Sequence, residues 1–364
     1  MLQVKENNFN IIRLIAALFV MIGHMGNILG TRVPSLAGKP LHTIGVNTLF
    51  LLGGYLITKS WERDPHLGRY LIRRFFRFYP PYAVMILIMV WITGPLLSSL
   101  GMKGYFSSWY LSYLWNLRFY IVFAQPGVFE YNPIPNVVNG SLWTMPVEAA
   151  FYLMLPIVLI LLCWRRTKKI ALIGRFIFTG VVCGLDIFVK NMNSEQSLVL
   201  YATDWISALH LAVFFFIGSL FACPCLESRC NLQVSILCLS LLLCLQMGGM
   251  VVNELSHMIL YPYFIFSLAL TPAPVFAVVG RRFELSYGIY LYGFFFQQLV
   301  VKWRMDYQLE WGFLTCFLLS LAFTAFAAFL SSWLVEKPFI SLSHKILRWM
   351  KRIPGSQNSM ETML

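Results

Sequence analysis

Arg13 and His24 are the residues whose types and spacing first suggest chemistry. Both lie in the apolar stretch FNIIRLIAALFVMIGHMGNIL, positions 9–29, which is long enough to cross a bilayer. An ionisable side chain in hydrocarbon costs several kcal/mol, so a span that keeps two of them has a use for them. Eleven residues of helix amount to three turns and about 20°, so the two share a face about 16 Å apart along the axis. A cation at one end of a groove and a titratable base deeper in it would suit a long anionic co-substrate. Imidazole suits the base because it takes and returns a proton near neutral pH.

A second intramembrane charge, Glu148, sits in SLWTMPVEAAFYLMLP, positions 141–156. Counted from the ends of their spans, Glu148 and His24 fall at similar depths, which predicts a His–carboxylate contact that would hold the imidazole tautomer. Ser141, Glu148 and Tyr152 follow one another on one helix face, with Pro146 beside them as a kink. A further concentration of charge is RYLIRRFFRFYPPY, positions 69–82, where Arg73, Arg74 and Arg77 precede Pro80. Guanidinium groups make bidentate contacts to phosphate, but such clusters also anchor membrane proteins to the inner leaflet. Asn47, in GVNTLFLLGGYLI, is a polar group in a small-residue helix-packing segment, where an interhelical hydrogen bond is its ordinary use. His210 and His257 have no partner identifiable from sequence.

These residues need membrane helices to position them. The chain has 364 residues, 59% hydrophobic and only 12% charged, and a mean hydropathy of +0.70. Repeated apolar runs of helical length make it an all-α polytopic membrane protein, since backbone polar groups in lipid must be satisfied within each segment. The predicted spans are 9–29, 42–60, 78–100, 142–163, 170–189, 204–222, 232–250, 254–271, 284–301 and 311–334, about ten transmembrane helices. Positions 105–124 are apolar but broken by Arg118 and rich in Tyr and Trp, and read as interfacial or re-entrant. With the N-terminus inside, 19 of the 28 Lys and Arg fall in inside segments and 7 outside, Arg13 and Arg175 being within spans. This places both termini in the cytoplasm.

The same rule accounts for the net charge of +13 without nucleic acid, for which no reading pattern is present. The first span lacks a cleavage site and reads as retained. The eight cysteines fall in spans or in a loop placed inside, so neither disulfides nor a metal site is expected. The organisation is a transmembrane domain over 1–338 with no soluble domain, followed at 339–364 by a cytoplasmic tail of basic amphipathic helix and disordered end.

The blocks Arg13-x10-His24, GVNTLFLLGGYLI, RRFFRFYPPY, SLWTMPVEAAFYL, SYGIYLY (286–292) and EKP (336–338) together resemble the acyltransferase 3 family of transmembrane O-acyltransferases, over Phe9 to Pro338. The resemblance implies transfer of an acyl group from cytoplasmic acyl-CoA to a sugar hydroxyl, commonly of lipopolysaccharide O-antigen or another surface polysaccharide, in a bacterial inner membrane. By it His24 is the essential base or a transient acyl carrier. Arg13, Arg73, Arg74 and Arg77 would hold the acyl-CoA, and Ser141, Trp143 and Glu148 would line the outer part of the site with Tyr152 and Asn47. Where the family often carries an acid, a Ser and a His, this chain has Asn47, Gly53 and Gly293. The expectation is an O-acetyltransferase using acetyl-CoA as co-substrate, with no permanently bound cofactor and with sugar or lipid-linked polysaccharide and membrane lipid as partners. A succinyl or other acyl donor, and a non-enzymatic exporter of a lipid-linked sugar, are the alternatives. The exporter would want related halves or broken helices, and the sequence has neither. Oligomeric state is not legible.

Overall fold

A computed structural model describes residues 7–163, 167–192, 198–271 and 285–352. The predicted loops carrying Arg165 and Arg166, and Arg281 and Arg282, lie outside the described residues, as does the end of the tail.

The fold is a bundle of α-helices, with two antiparallel strand pairs of only two residues per strand. The main helices are α1 (Phe9–Leu29), α2 (Leu41–Arg63), α3 (Leu67–Ile88), α4 (Thr144–Cys163), α5 (Lys168–Met192), α6 (Trp205–Phe221), α7 (Leu232–Leu245), α8 (Met250–Leu270), α9 (Ser286–Asp306), α10 (Phe313–Ser331) and α11 (Lys337–Arg352). Six helices among the described residues are long and apolar enough to cross a membrane: α1, α2, α3 extended to Leu97, α4 begun at Gly140, α5, and α10 continued to Met350. The extensions of α3 and α10 pass through π-helical turns at Met89–Thr93 and Ser332–Glu336. Helices α6 and α7 are apolar but shorter.

Local sequence explains several ends. The Asp204 carboxylate caps α6 by accepting from the backbone N–H of Ile206 and Ser207, and Asn231 caps α7 through Gln233 and Val234. Positions 105–124 form no continuous span: a short helix to Phe106 gives way to a 3₁₀ helix, Tyr110–Arg118, and then to extended chain.

The centre of the bundle is α2, packed between α1 and α6. The approach to α6 is backbone to backbone. A Cβ on Gly54 would lie 1.9 Å from the Phe215 carbonyl oxygen, so only glycine permits it. α9 lies across α1 and α10 and presents an almost wholly buried face from Ser286 to Val301. The connection from Gln125 to Trp143 folds into the bundle: Asn132 donates to the Gln298 carbonyl, Asn139 donates to the Leu291 carbonyl, and Asn139, Ser141 and Leu142 are buried. That insertion sets the depth at which α4 begins.

Candidate active site

A cavity of about 470 Å³ opens among α1, α2, α3, α4 and α9. α2 lines it from Leu49 to Arg63, about 20 Å of helical rise. At one end stand Lys59, Ser60 and Arg63 of α2 with Arg73, Arg74 and Arg77 of α3, and Arg13 comes in from α1. On α3 the arginines recur at i, i+1 and i+4, which turns them to one side of the helix. Farther in, Glu148 and Tyr152 of α4 and Tyr287 of α9 form the wall, and Thr144 and Tyr290 stand at the head. The Tyr290 and Thr144 hydroxyls share a hydrogen bond of 2.6 Å.

Six basic residues thus face one lining carboxylate. Some of that charge is met locally. Asp64, just after α2, receives Arg69 Nη2 and Arg73 Nη1 at 2.6 Å each, and Lys59 pairs with Glu227 at 2.6 Å. Burial alone would push the Asp64 pKa up, but the hydrogen bonds and charges of the two arginines prevail and bring it down to about 2. Other donors are unspent. Arg74 gives one N–H to Ser60 Oγ at 2.9 Å and lies over the Tyr70 ring, yet its Nε, like that of Arg73, is buried with no partner among the described residues. Orphaned guanidinium N–H groups in a basic cavity are what a polyphosphate would satisfy.

All four residues expected to hold the acyl donor, Arg13, Arg73, Arg74 and Arg77, therefore line one cavity. The residues expected on the acceptor side do not converge in the same way. Tyr152 lines the cavity and donates a short hydrogen bond to Glu148. Ser141 is buried as part of the turn before α4: its N–H donates to the Asn139 side chain, and its carbonyl accepts from Thr144 and Tyr290. Trp143 packs against the apolar core and does not line the cavity. Asn47 faces away, with its amide 3.3 Å from His210 Nε2.

The expected His24–Glu148 contact is replaced by a different arrangement. The ring neighbours of His24 are His42, with centroids 5.8 Å apart and planes at 16°, and Phe294, edge-on at 5.3 Å. Glu148 instead lines the cavity together with Arg13 and accepts from Tyr152. The cause is the buried start of α4. Depth counted from the end of a hydrophobic run assumes that the helix begins at the membrane surface, and here the preceding loop has already entered the bundle. Along α9, Tyr290 marks the cavity head and Phe294 touches His24, so the base stands one turn, about 6 Å, beyond the cavity.

The histidines that lacked partners in the sequence also find them. His257 Nε2 is 2.8 Å from the Ala37 carbonyl. His210 Nδ1 is 2.8 Å from Lys190 Nζ and 3.1 Å from Asp186. Lys190 also bonds Asp186 and Glu254, and Glu254 receives a short bond from Lys39. Asp186, His210 and Glu254 bring ligand atoms within 4.8 Å of one another, but the Lys190 ammonium contacts all three and already supplies the cation.

Sequence reasoning did not find Lys59, Ser60 and Arg63, which the last turn of α2 aims at the arginines of α3, nor His42. The signal for His42 was available: it opens α2 at the same end of the bundle at which α1, carrying His24 in its last turns, closes.

Fold and cavity together define a multi-pass membrane protein with a buried basic pocket beneath an intramembrane imidazole. The chain belongs to the acyltransferase-domain family, whose match covers residues 6–335, and is an acyltransferase. It is 25% identical to an O-acetyl transferase of Shigella phage Sf6 over 93% of this chain and 97% of that one. It is 26% identical to Nodulation protein 10 of Rhizobium leguminosarum bv. viciae over 79% and 82%. A segment covering 44% of this chain is 30% identical to 27% of the peptidoglycan O-acetyltransferase OatA of Listeria monocytogenes. No solved structure matches the chain.

Proposed function

We propose that the protein is an acetyl-CoA-dependent O-acetyltransferase of a surface polysaccharide, such as lipopolysaccharide O-antigen, in a bacterial inner membrane. The observation that carries this reading is the basic cavity itself. Its unspent guanidinium donors stand at one end and its head lies one helical turn from His24. Phosphates of the donor bind Arg63, Arg73, Arg74 and Arg77 at the cytoplasmic end, the orientation favoured by the excess of Lys and Arg there. The narrow arm of the donor runs past Arg13 and Tyr152 and carries the thioester towards Thr144 and Tyr290. Transfer then requires the Thr144–Tyr290 hydrogen bond to open, because it closes the cavity below His24.

His24 acts as general base towards a sugar hydroxyl arriving from the other side of the membrane. Its hydroxyl oxygen attacks the thioester carbonyl, the C–S bond breaks, and the leaving thiolate takes the proton back from the imidazolium. Glu148 serves the donor side, as the carboxylate among the cavity arginines. The relatives named O-acetyltransferases support acetyl as the group transferred.

The test is mass spectrometry of surface polysaccharide from cells with the gene intact, deleted, or carrying His24→Ala, with protein level in the membrane measured in parallel. Loss of one acetyl mass per repeat in both mutants is expected. Unchanged acetylation in the His24→Ala strain would sink the assignment of the base, and unchanged polysaccharide in the deletion strain would sink the acceptor.

A further inference from the structure

We infer that His42 is a second contact for the acceptor sugar, placed beside His24 so that it meets the hydroxyl next to the one that reacts. The inference rests on the reading of His24 as the base. The two rings are nearly parallel with centroids 5.8 Å apart; because an imidazole hydrogen-bonds through its nitrogens in the ring plane, such neighbours serve two adjacent hydroxyls of one sugar rather than one shared oxygen.

The ring atoms settle which nitrogens are available. His42 Nδ1 is buried with no partner among the described residues, pressed against α1 at Gly23. Among the described residues no group hydrogen-bonds His42 Nε2 or either nitrogen of His24, and both residues are only partly buried. Two neighbouring half-buried imidazoles therefore carry three nitrogens without a partner among the described residues. Among the described residues their other ring neighbour is Phe294, a wall that cannot hydrogen-bond.

This arrangement is built rather than incidental. A Cβ at position 23 would lie 2.5 Å from His42 Nδ1 and 2.6 Å from its Cβ, so the residue beside His24 must be glycine for His42 to sit where it does. From the other side, the strand pair Ser35–Leu36 and Lys39–Pro40 leads directly into α2. It is held by the Lys39–Glu254 ion pair, by His257 on the Ala37 carbonyl and by the Leu41 N–H on Pro34. The start of α2, and with it the His42 backbone, is fixed at both ends.

In the transfer step His24 takes the hydroxyl proton while the oxygen bonds to the acetyl carbon and the C–S bond breaks. His42 Nε2–H donates to the neighbouring hydroxyl oxygen of the sugar and keeps its own proton throughout. The proton on His24 passes to the CoA thiolate, so the products are the acetyl ester and free CoA thiol.

The experiment uses full-length protein in membranes, with acetyl-CoA as donor and alkali-deacetylated polysaccharide from the deletion strain as acceptor. Acetyl transfer by the unmutated protein is established first; its absence would overturn the proposed function and leave nothing for His42 to assist. Given transfer, His42→Ala is expected to lower kcat/KM for the acceptor by roughly ten- to a hundredfold, the effect of losing one buried polar contact, with acetyl-CoA affinity unchanged. Gln reaches the Nε2 position whereas Asn reaches only Nδ1, so His42→Gln should recover most of the loss and His42→Asn should not. Gly23→Ala, which displaces the ring, should resemble His42→Ala. Wild-type kinetics in His42→Ala, rescue by Asn equal to that by Gln, or an equal loss of acetyl-CoA binding would each overturn the inference.

Discussion

The cavity gathers Arg13, Lys59, Arg63, Arg73, Arg74 and Arg77 around the single lining carboxylate of Glu148. The cluster joining α5, α6 and α8 to the strand before α2 instead sets Lys39 and Lys190 against Asp186 and Glu254, with His210 and Asn47 completing it. Both sets lie inside a helical bundle, where an isolated charge is expensive. The second has matched charges, and most of its polar atoms bond to one another. The first has an excess of cations and leaves Arg73 and Arg74 with buried N–H groups unmet among the described residues. Matched charge holds helices in place, and unmatched charge awaits a ligand of opposite sign. The two are linked through α2: Asn47 faces the balanced cluster while Gly53, Leu56 and Ser60 line the cavity.

The sharpest way to break this contrast is to unbalance the balanced side. Glu254→Gln leaves Lys190 with Asp186 and Lys39 with no carboxylate among the described residues, in a place where the Glu254 side chain is 7% exposed. Removing one member of a buried ion pair typically costs about 3–5 kcal/mol. The expected result is a large fall in thermal midpoint in detergent, with acetyl-CoA affinity of the folded fraction near normal. A stable Glu254→Gln protein that binds donor poorly would put the cluster in the donor site and erase the distinction.

On the cavity side the same operation should have the opposite signature. Arg74→Gln removes a cation whose Nε has no partner among the described residues, so stability should hold or rise slightly while the KM for acetyl-CoA increases. Loss of a charge-assisted contact corresponds to about 1.5–3 kcal/mol, or roughly ten- to a hundredfold in KM. Arg74→Lys should recover only part of it, because a point charge cannot make the two-pronged phosphate contact. Titration calorimetry with acetyl-CoA separates this from an effect on the acceptor.

The unmatched side was legible in the sequence because excess is a property of composition: RYLIRRFFRFYPPY announces itself, and all four residues assigned to the donor do line the cavity. The matched side was hidden. Asp186, His210 and Glu254 are scattered over 69 positions of chain, and nothing in their spacing says that Lys190 will meet all three. The acceptor side was misread for a related reason. Ser141, Trp143 and Glu148 were placed by depth along a run of apolar residues, and that measure fails where an irregular loop enters the bundle before the helix begins. The membrane character and most helix positions followed from hydropathy alone, although six of the spans, rather than ten, meet the length and composition of a crossing helix among the described residues.

The smallest expected effect lies where the two regimes meet, at Asp64, a carboxylate at the mouth of the cavity that is spent on Arg69 and Arg73. Its folded pKa is lowered to about 2, against about 3.9 for a free aspartate. A depressed carboxylate contributes stability that is fully present above the unfolded value and is lost as pH falls through the folded one, so the window runs from about pH 4 down to about pH 2. Thermal melting across that window should show the wild-type protein losing stability with acid and Asp64→Asn losing less, from a slightly lower starting point at neutral pH. Because Asp64 is partly open to solvent, salt should shrink the difference. The same substitution releases Arg73 into the cavity, so at neutral pH acetyl-CoA should bind no more weakly, and possession of a freed guanidinium should make its binding more sensitive to ionic strength. If Asp64→Asn weakened donor binding at constant salt, the carboxylate would be holding Arg73 in its binding position rather than competing for it, and matched charge would then be part of the donor site too.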